Sequence, residues 1–340
     1  MPFCFCRPIF HLSMGALLPC GAESIKGRLW VNYTAYHICY NARWLLQQAE
    51  NWFRDEKLAL HSTKRGYMFY RSQLFVPGNR PDRFDKACQA GADLVCIDLE
   101  DSVGADDKDS AREAVLAWLA QTEHQNVSLR INGTDTAEGQ ADIQALKSSG
   151  LNLPFVMLPK VASRDEVEGL AQELPENLGP FFVIIESAIG MVNADDIFAC
   201  DRVKLGMYGA IDYAGDVDCD LAWETHLYGR SKLAAAAVAY GVLLFDVPHV
   251  DVRNLDDCEA STRKAKALGI HARSAIHPAQ VARIHTALAP SADEVAYAER
   301  VIEAYEAANG NVVLMDGKFV EAPVVKRAER ILAFRDRNQS

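Results

Sequence analysis

The sequence is short of several things. Nine cysteines are present, but no two stand in a CxxC pair, which removes the usual zinc frameworks. Four of them (Cys4, Cys6, Cys20, Cys39) fall in the first forty residues and five are scattered, as expected for reduced thiols in a cytoplasmic compartment. No apolar run is long enough to cross a bilayer. Positive charge is scarce: 35 Lys and Arg stand against 46 Asp and Glu, a net of −11. Neither nucleic acid nor an anionic membrane surface is therefore expected as a partner. No GxGxxG follows the first strand-like run, which disfavours an open dinucleotide-binding sheet.

What is present suffices for a large core: 340 residues, 49% of them hydrophobic. Residues 1–66 stand apart. They carry eight Lys or Arg against four Asp or Glu, and three of the five tryptophans (Trp30, Trp44, Trp52). No strand–helix alternation is visible there. A targeting peptide, or an accessory helix over Asn41 to Leu60 with Asn41 as N-cap, competes with the favoured reading, in which translation starts at Met68. The segment is expected to be poorly structured and to carry no chemistry.

From residue 70 the pattern is regular. Apolar, β-type runs occur at Gln73–Pro77, Leu94–Leu99, Val127–Ile131, Phe155–Leu158, Phe182–Ile185, Val203–Tyr208, Val242–Val247 and Ser274–Ile276. Helix-type segments such as Ser110–Ala120 and Glu224–Tyr240 lie between them. Ser163 with Glu166 reads as a capping box. Eight alternating strands and helices predict an α/β fold, a (β/α)8 TIM barrel over residues 70–290. A C-terminal extension, 291–340, follows: a helix (Ala292–Ala308), a Val312–Val320 stretch broken by Asp316-Gly317, and a last helix (Pro323–Phe334). This helical and hairpin extension is expected to reach a neighbouring subunit.

A barrel of this kind carries its chemistry at the carboxyl ends of its strands, and polar residues gather there. The first strand ends Phe75-Val76-Pro77-Gly78, the second Asp98-Leu99-Glu100-Asp101, the third Arg130-Ile131-Asn132, the fourth Pro159-Lys160. The fifth ends in Glu186, Asp212 follows the sixth, and His277-Pro278 follows the eighth. Consecutive parallel strands bring Glu186 and Asp212 to the same rim, a pair suited to a hard cation such as Mg2+. Glu100 and Asp101 are expected to hold metal-bound water, and Arg130 to grip a carboxylate or enolate oxygen. Gly209 and Ala210 belong to a turn whose free N–H groups seat a small carboxylate. A metal beside such a seat suits a 2-oxoacid, and metal and arginine together stabilise an enolate, so reversible aldol- or Claisen-type cleavage is the implied chemistry. Lys160 raises a Schiff-base rival, but an ion pair with a neighbouring acid is the favoured reading. His277 reads as a satisfied histidine at a helix start.

As a set, Arg71-Ser72-Gln73-Leu74-Phe75-Val76-Pro77-Gly78, Asp98-Leu99-Glu100-Asp101-Ser102-Val103, Arg130-Ile131-Asn132, Leu158-Pro159-Lys160-Val161, Ile185-Glu186-Ser187-Ala188-Ile189-Gly190 and Ile276-His277-Pro278-Ala279-Gln280 resemble the HpcH/HpaI aldolase/citrate lyase β-subunit family, in its CoA-ester lyase branch. The resemblance covers about residues 70–336 and implies a Mg2+-dependent homotrimer or homohexamer acting on an acyl-CoA and a 2-oxoacid. It implies Glu186 and Asp212 as metal ligands, Arg130 as the substrate arginine, and Arg71, Phe75 and Lys86 at the CoA, with Pro77 beside them. The family often supplies an aspartate from the adjacent subunit's tail. Here Glu321, in Gly317-Lys318-Phe319-Val320-Glu321-Ala322-Pro323, takes its place as a catalytic acid. The expected function is cleavage of a malyl-CoA or citramalyl-CoA type ester to an acyl-CoA and a 2-oxoacid. Alternatives are a citrate lyase β-type subunit acting on a carrier-protein thioester, a class II hydroxy-oxoacid aldolase, and a malyl-CoA thioesterase.

Overall fold

The computed structural model describes residues 70–339. The expectations for residues 1–66 lie outside the described residues.

Eight parallel strands close a barrel in sequence order: β1 (Ser72–Pro77), β2 (Leu94–Asp98), β3 (Val127–Arg130), β4 (Val156–Leu158), β5 (Phe181–Ile185), β6 (Val203–Tyr208), β7 (Leu243–Asp246) and β8 (Ala272–Ala275). The ring shuts where β8 pairs with β1, Ser72 opposite Arg273. This is the predicted (β/α)8 barrel, with the strands within two residues of the apolar runs. Between them run α1 (Phe84–Cys88), α2 (Lys108–Leu119), α3 (Ala137–Ser149), α4 (Arg164–Glu173), α5 (Ala188–Val192), α6 (Ala194–Phe198), α7 (Ala210–Val217), α8 (Leu227–Tyr240), α9 (Leu255–Ala267) and α10 (Pro278–Leu288). The segment between β5 and β6 forms two short helices, α5 and α6, that meet at Asn193, whose side-chain amide donates to Ala162 O.

The two-residue period of the strands sorts their side chains into two cores. Leu94, Cys96, Met157, Phe182, Ile184, Leu205, Met207 and Phe245 fill the barrel. Alternate residues, among them Val95, Ile97, Leu129, Val183 and Ile185, pack outward with the helices. Continued upward, the inner period puts Asp98 above Cys96, Arg130 above Ser128 and Glu186 above Ile184. Strand register sets Pro77 opposite Asp98 and Asp98 opposite Arg130, so these three form one row at the carboxyl rim.

Two glycines permit close approaches at this rim. A Cβ on Gly78 would lie 2.8 Å from Asp98 O, and one on Gly209 would lie 2.4 Å from Glu186 Cβ. The expected capping box at α4 is half made. Ser163 Oγ accepts the Glu166 N–H at 3.3 Å, but the Glu166 carboxylate turns to Ala162 N and Thr134 Oγ1.

Beyond the barrel, α11 (Ala292–Ala307), a hairpin of β9 (Val313–Met315) and β10 (Lys318–Val320), and α12 (Ala322–Gln339) share a small core of Ala298, Val301, Val320, Val325 and Ala328. Asp316 and Gly317 turn the hairpin, both at positive φ (52° and 75°), the chemistry of a two-residue turn.

Candidate active site at the carboxyl rim

Two charged groups assemble at the rim. The first is built on β2, β3 and the end of β4. Asp98, 1% exposed, receives Arg130 Nε and Nη2 on its two oxygens at 2.6 Å each. Burial alone would raise the Asp98 carboxyl, but the charge and hydrogen bonds of Arg130 outweigh it and hold it below the ordinary range. The guanidinium also lies 5.0 Å from the centre of the Phe75 ring, and its Nη1 is 2.9 Å from Glu100 Oε2. Lys160 Nζ sits 2.7 Å from Glu100 Oε1 and 3.5 Å from Asp101. Neither Glu100 oxygen makes a hydrogen bond of good geometry, and burial leaves its carboxyl above the ordinary range despite the two cations. Partial burial opposes the Lys160 charge, but Glu100, Asp101 and Glu186 outweigh it and raise the ammonium. A lysine so held is no amine nucleophile.

Behind this group, Lys108 Nζ donates to Leu99 O, Glu100 O and Asn132 Oδ1 at 2.8, 2.7 and 2.6 Å. Asn132 N and Nδ2 both donate to Asp142 Oδ2, at 2.8 and 2.7 Å, and Arg112 pairs with the other Asp142 oxygen. These bonds fix the loops after β2 and β3.

The second group is Glu186 with Asp212. Glu186 is buried at the end of β5; Asp212 is exposed in the first turn of α7. Burial first, then the charge of Asp212, pushes the Glu186 carboxyl up to about 8. Its Oε1 accepts the Lys160 N–H at 2.6 Å. Lys160 makes that bond from the left-handed region, φ 54°, a strain that non-glycine residues carry where the surroundings enforce it. Lys160 thus ties the groups together, backbone to Glu186 and side chain to Glu100.

The Gly209 N–H is taken by Ile185 O at 3.0 Å, so Gly209 makes room for Glu186 and offers no donor to a ligand. No side chain caps α7, and the turn expected ahead of a helix is that helix's own first turn. Ala210 is its first residue.

The donor set fits a hard divalent cation. The groove that a Gly209 side chain would fill holds Glu186, with Oε2 2.6 Å from the ideal Cβ, and two crowded like charges are relieved by a cation between them. Among the described residues no group of three His, Cys, Asp or Glu is placed to hold a metal. Two carboxylates, with water and substrate completing the shell, is the manner of Mg2+.

A family model, HpcH/HpaI aldolase/citrate lyase, matches residues 71–278. The chain belongs to this family. It is 33% identical over 291 residues to the citrate lyase subunit beta of Leuconostoc mesenteroides subsp. cremoris, covering 79% of this chain and 94% of that one. It is 30% identical to a (3S)-malyl-CoA thioesterase of Cereibacter sphaeroides, covering 78% and 94%. Among solved structures, CitE of Mycobacterium tuberculosis in complex with magnesium, acetoacetate and coenzyme A is similar with a TM-score of 0.71 at 31% identity, over 79% of this chain and 99% of that one.

Of the other expected site residues, Pro77 ends β1 at the rim, and its carbonyl accepts Arg80 N. Lys86 is exposed on α1. Glu321 is exposed at the start of α12, its carbonyl accepting Val324 N and Val325 N. Arg71 is not brought to this face. It precedes β1, so it sits about 20 Å from the carboxyl end at the rise of a strand, and its guanidinium pairs with Asp93, which precedes β2, at 2.8 Å. His277 is the N-cap of α10, its Nδ1 accepting Ala279 N. The roles of Asp98, Lys108 and Asp142 were missed by motif reading. For Asp98 the signal was present in the alternation Leu94, Cys96, Asp98.

Proposed function

We propose that the protein is a Mg2+-dependent carbon–carbon lyase that cleaves a 3-hydroxyacyl-CoA of the malyl-CoA or citramalyl-CoA type into an acyl-CoA and a 2-oxoacid. One observation carries the reading: an acidic pair, Glu186 and Asp212, and an arginine locked by Asp98 stand on one barrel rim, bridged by Lys160. The relatives support the class, since one is named for citrate lyase, one for malyl-CoA, and the solved neighbour binds magnesium, acetoacetate and coenzyme A together.

Glu186 and Asp212 would hold the Mg2+, which supplies Lewis-acid polarisation of the 2-oxoacid oxygens when bound. The uncapped N–H groups of Ala210 and Ile211 receive the substrate carboxylate. Arg130 cannot swing, because Asp98 holds two of its nitrogens and Phe75 lies against its face. It presents fixed positive charge to the oxygen where the enolate develops. In cleavage, the hydroxyl proton passes to a carboxylate; Glu100, kept above the ordinary range by burial, is suited to hold it. The carbon–carbon bond breaks, its electron pair stays on the acyl-CoA carbon as enolate, and the 2-oxoacid carbonyl forms. That carbon is then protonated, a step assigned to Glu321 of a neighbouring copy.

The test uses the full chain with Mg2+ and with EDTA, offering malyl-CoA and citramalyl-CoA. Metal-dependent release of 2-oxoacid without free thiol supports the lyase. Free thiol with no 2-oxoacid supports the thioesterase reading that the Cereibacter relative favours. Silence on both esters, from folded protein, sinks the substrate assignment.

A further inference from the structure

Asp212 lies on α7, whose position relative to Glu186 must be held if the two carboxylates are to share an ion. The backbone ladder between β5 and β6 stops at Gly209 N–H to Ile185 O. Beyond it, α7 is held by packing, with Ala210 and Ala214 buried and the Tyr213 ring against Tyr208 and His226, and packing alone is less directional than a hydrogen bond. Just past Glu186, Ser187 caps α5 by accepting the Gly190 N–H at 3.1 Å. The Ala188 N–H, one of the unpaired donors of that helix start, is left over. It donates to Asp216 Oδ2 at 2.6 Å. Asp216 follows Asp212 by four residues, one turn along the same face.

Helix α5 is itself pinned from other sides. A Cβ on Gly190 would lie 2.6 Å from Val161 O, Asn193 Nδ2 donates to Ala162 O at 2.8 Å, and Lys232 Nζ donates to Met191 O and Val192 O at 2.5 and 3.2 Å. It is therefore a fixed post. Among the described residues, the bond to Ala188 is the only side-chain hydrogen bond that α7 makes.

Resting on the metal reading above, we propose that Asp216 is a positioning residue of the metal site: by accepting the Ala188 N–H it sets the separation of Asp212 from Glu186. Without that bond the pitch of α7 about Gly209 rests on apolar packing alone, and the pair then holds an ion less well. Groups that hydrogen-bond a metal ligand directly typically matter by about 10- to 100-fold in metal affinity, and a tie one turn removed belongs at the low end of that range.

The experiment is Mg2+ titration of the full chain by calorimetry, with melting temperature in EDTA measured alongside. Asp216→Ala is expected to weaken Mg2+ binding about tenfold with little change of melting temperature in EDTA. Asp216→Asn keeps an acceptor oxygen at the same reach and is expected to stay within about twofold of wild type. Asp218→Asn removes a nearby charge from an exposed residue in a left-handed conformation that Asn tolerates, and serves as the charge control. If Asp216→Asn is as weak as Asp216→Ala, long-range charge is the cause and the proposal fails. If wild type and Asp216→Ala bind Mg2+ equally, it also fails. If wild type binds no Mg2+, the metal reading fails first and takes this inference with it.

Discussion

Glu186 is a carboxyl group kept out of water, beside a like charge, in a slot that exists because residue 209 has no side chain. Glu186→Gln should abolish Mg2+ binding and metal-dependent turnover, yet leave the melting temperature in EDTA close to wild type below about pH 8, where the wild-type carboxyl is itself largely protonated, and above wild type at higher pH, where a neutral isostere is not repelled by Asp212. Calorimetry and thermal unfolding on one sample check both halves. Asp98 makes the opposite case, a buried carboxylate whose charge is matched. Its folded pKa lies below its unfolded value of about 3.9, so its stabilisation is complete above that value and is lost as pH falls through the lower, folded one. Arg130→Met removes the partner. It should cost about 3–5 kcal/mol and move the acid loss of stability to higher pH, since burial then acts on Asp98 unopposed. Unfolding midpoints in urea across the acid range would show the shift. The motifs made Glu186, Asp212 and Arg130 legible because charged residues at strand ends have few structural reasons to be there. Which oxygen Arg130 grips was not legible, because adjacent acids at 98, 100 and 101 differ only in which way their side chains point.

At the scale of elements, the strands were readable to within two residues because buried parallel strands are continuous apolar runs. The break between α5 and α6 was not, since an Asn that turns its amide to a neighbouring loop looks like any helical Asn in sequence. The spread of the first motif is also a matter of elements: Arg71 and Gly78 are read as one block, yet they lie at opposite ends of β1. Gly209→Ala tests the β6 rim directly. Its Cβ would stand 2.4 Å from Glu186 Cβ, so the end of β5 or β6 must shift. The expectation is a loss of about 1–3 kcal/mol together with a Mg2+ affinity at least tenfold weaker, which separates it from a merely destabilising change.

At the scale of the whole molecule, the barrel is closed but the tail is unfinished. Val312, Leu314 and Phe319 of the hairpin segment are 61%, 61% and 70% exposed, a quantity of apolar surface that a tail with so small a core does not hide. Phe319→Asp is expected to lower the oligomeric state seen by analytical ultracentrifugation and, because Glu321 lies two residues on, to reduce turnover without unfolding the barrel. Among the described residues no helix is long and apolar enough to cross a membrane. The barrel also has a history written in its wiring. Its ring closes through β1 and β8, the two strands most distant in the chain, whereas Glu186 directly follows β5 and Asp212 lies on α7 just past the neighbouring β6, with two short helices between those strands. Contacts between near segments tend to form sooner than those between chain ends, and the prediction is that the acidic pair assembles before the ring shuts. Millimolar Mg2+ should then speed refolding more than it slows unfolding, making the ion an early participant in folding as well as a late one in chemistry.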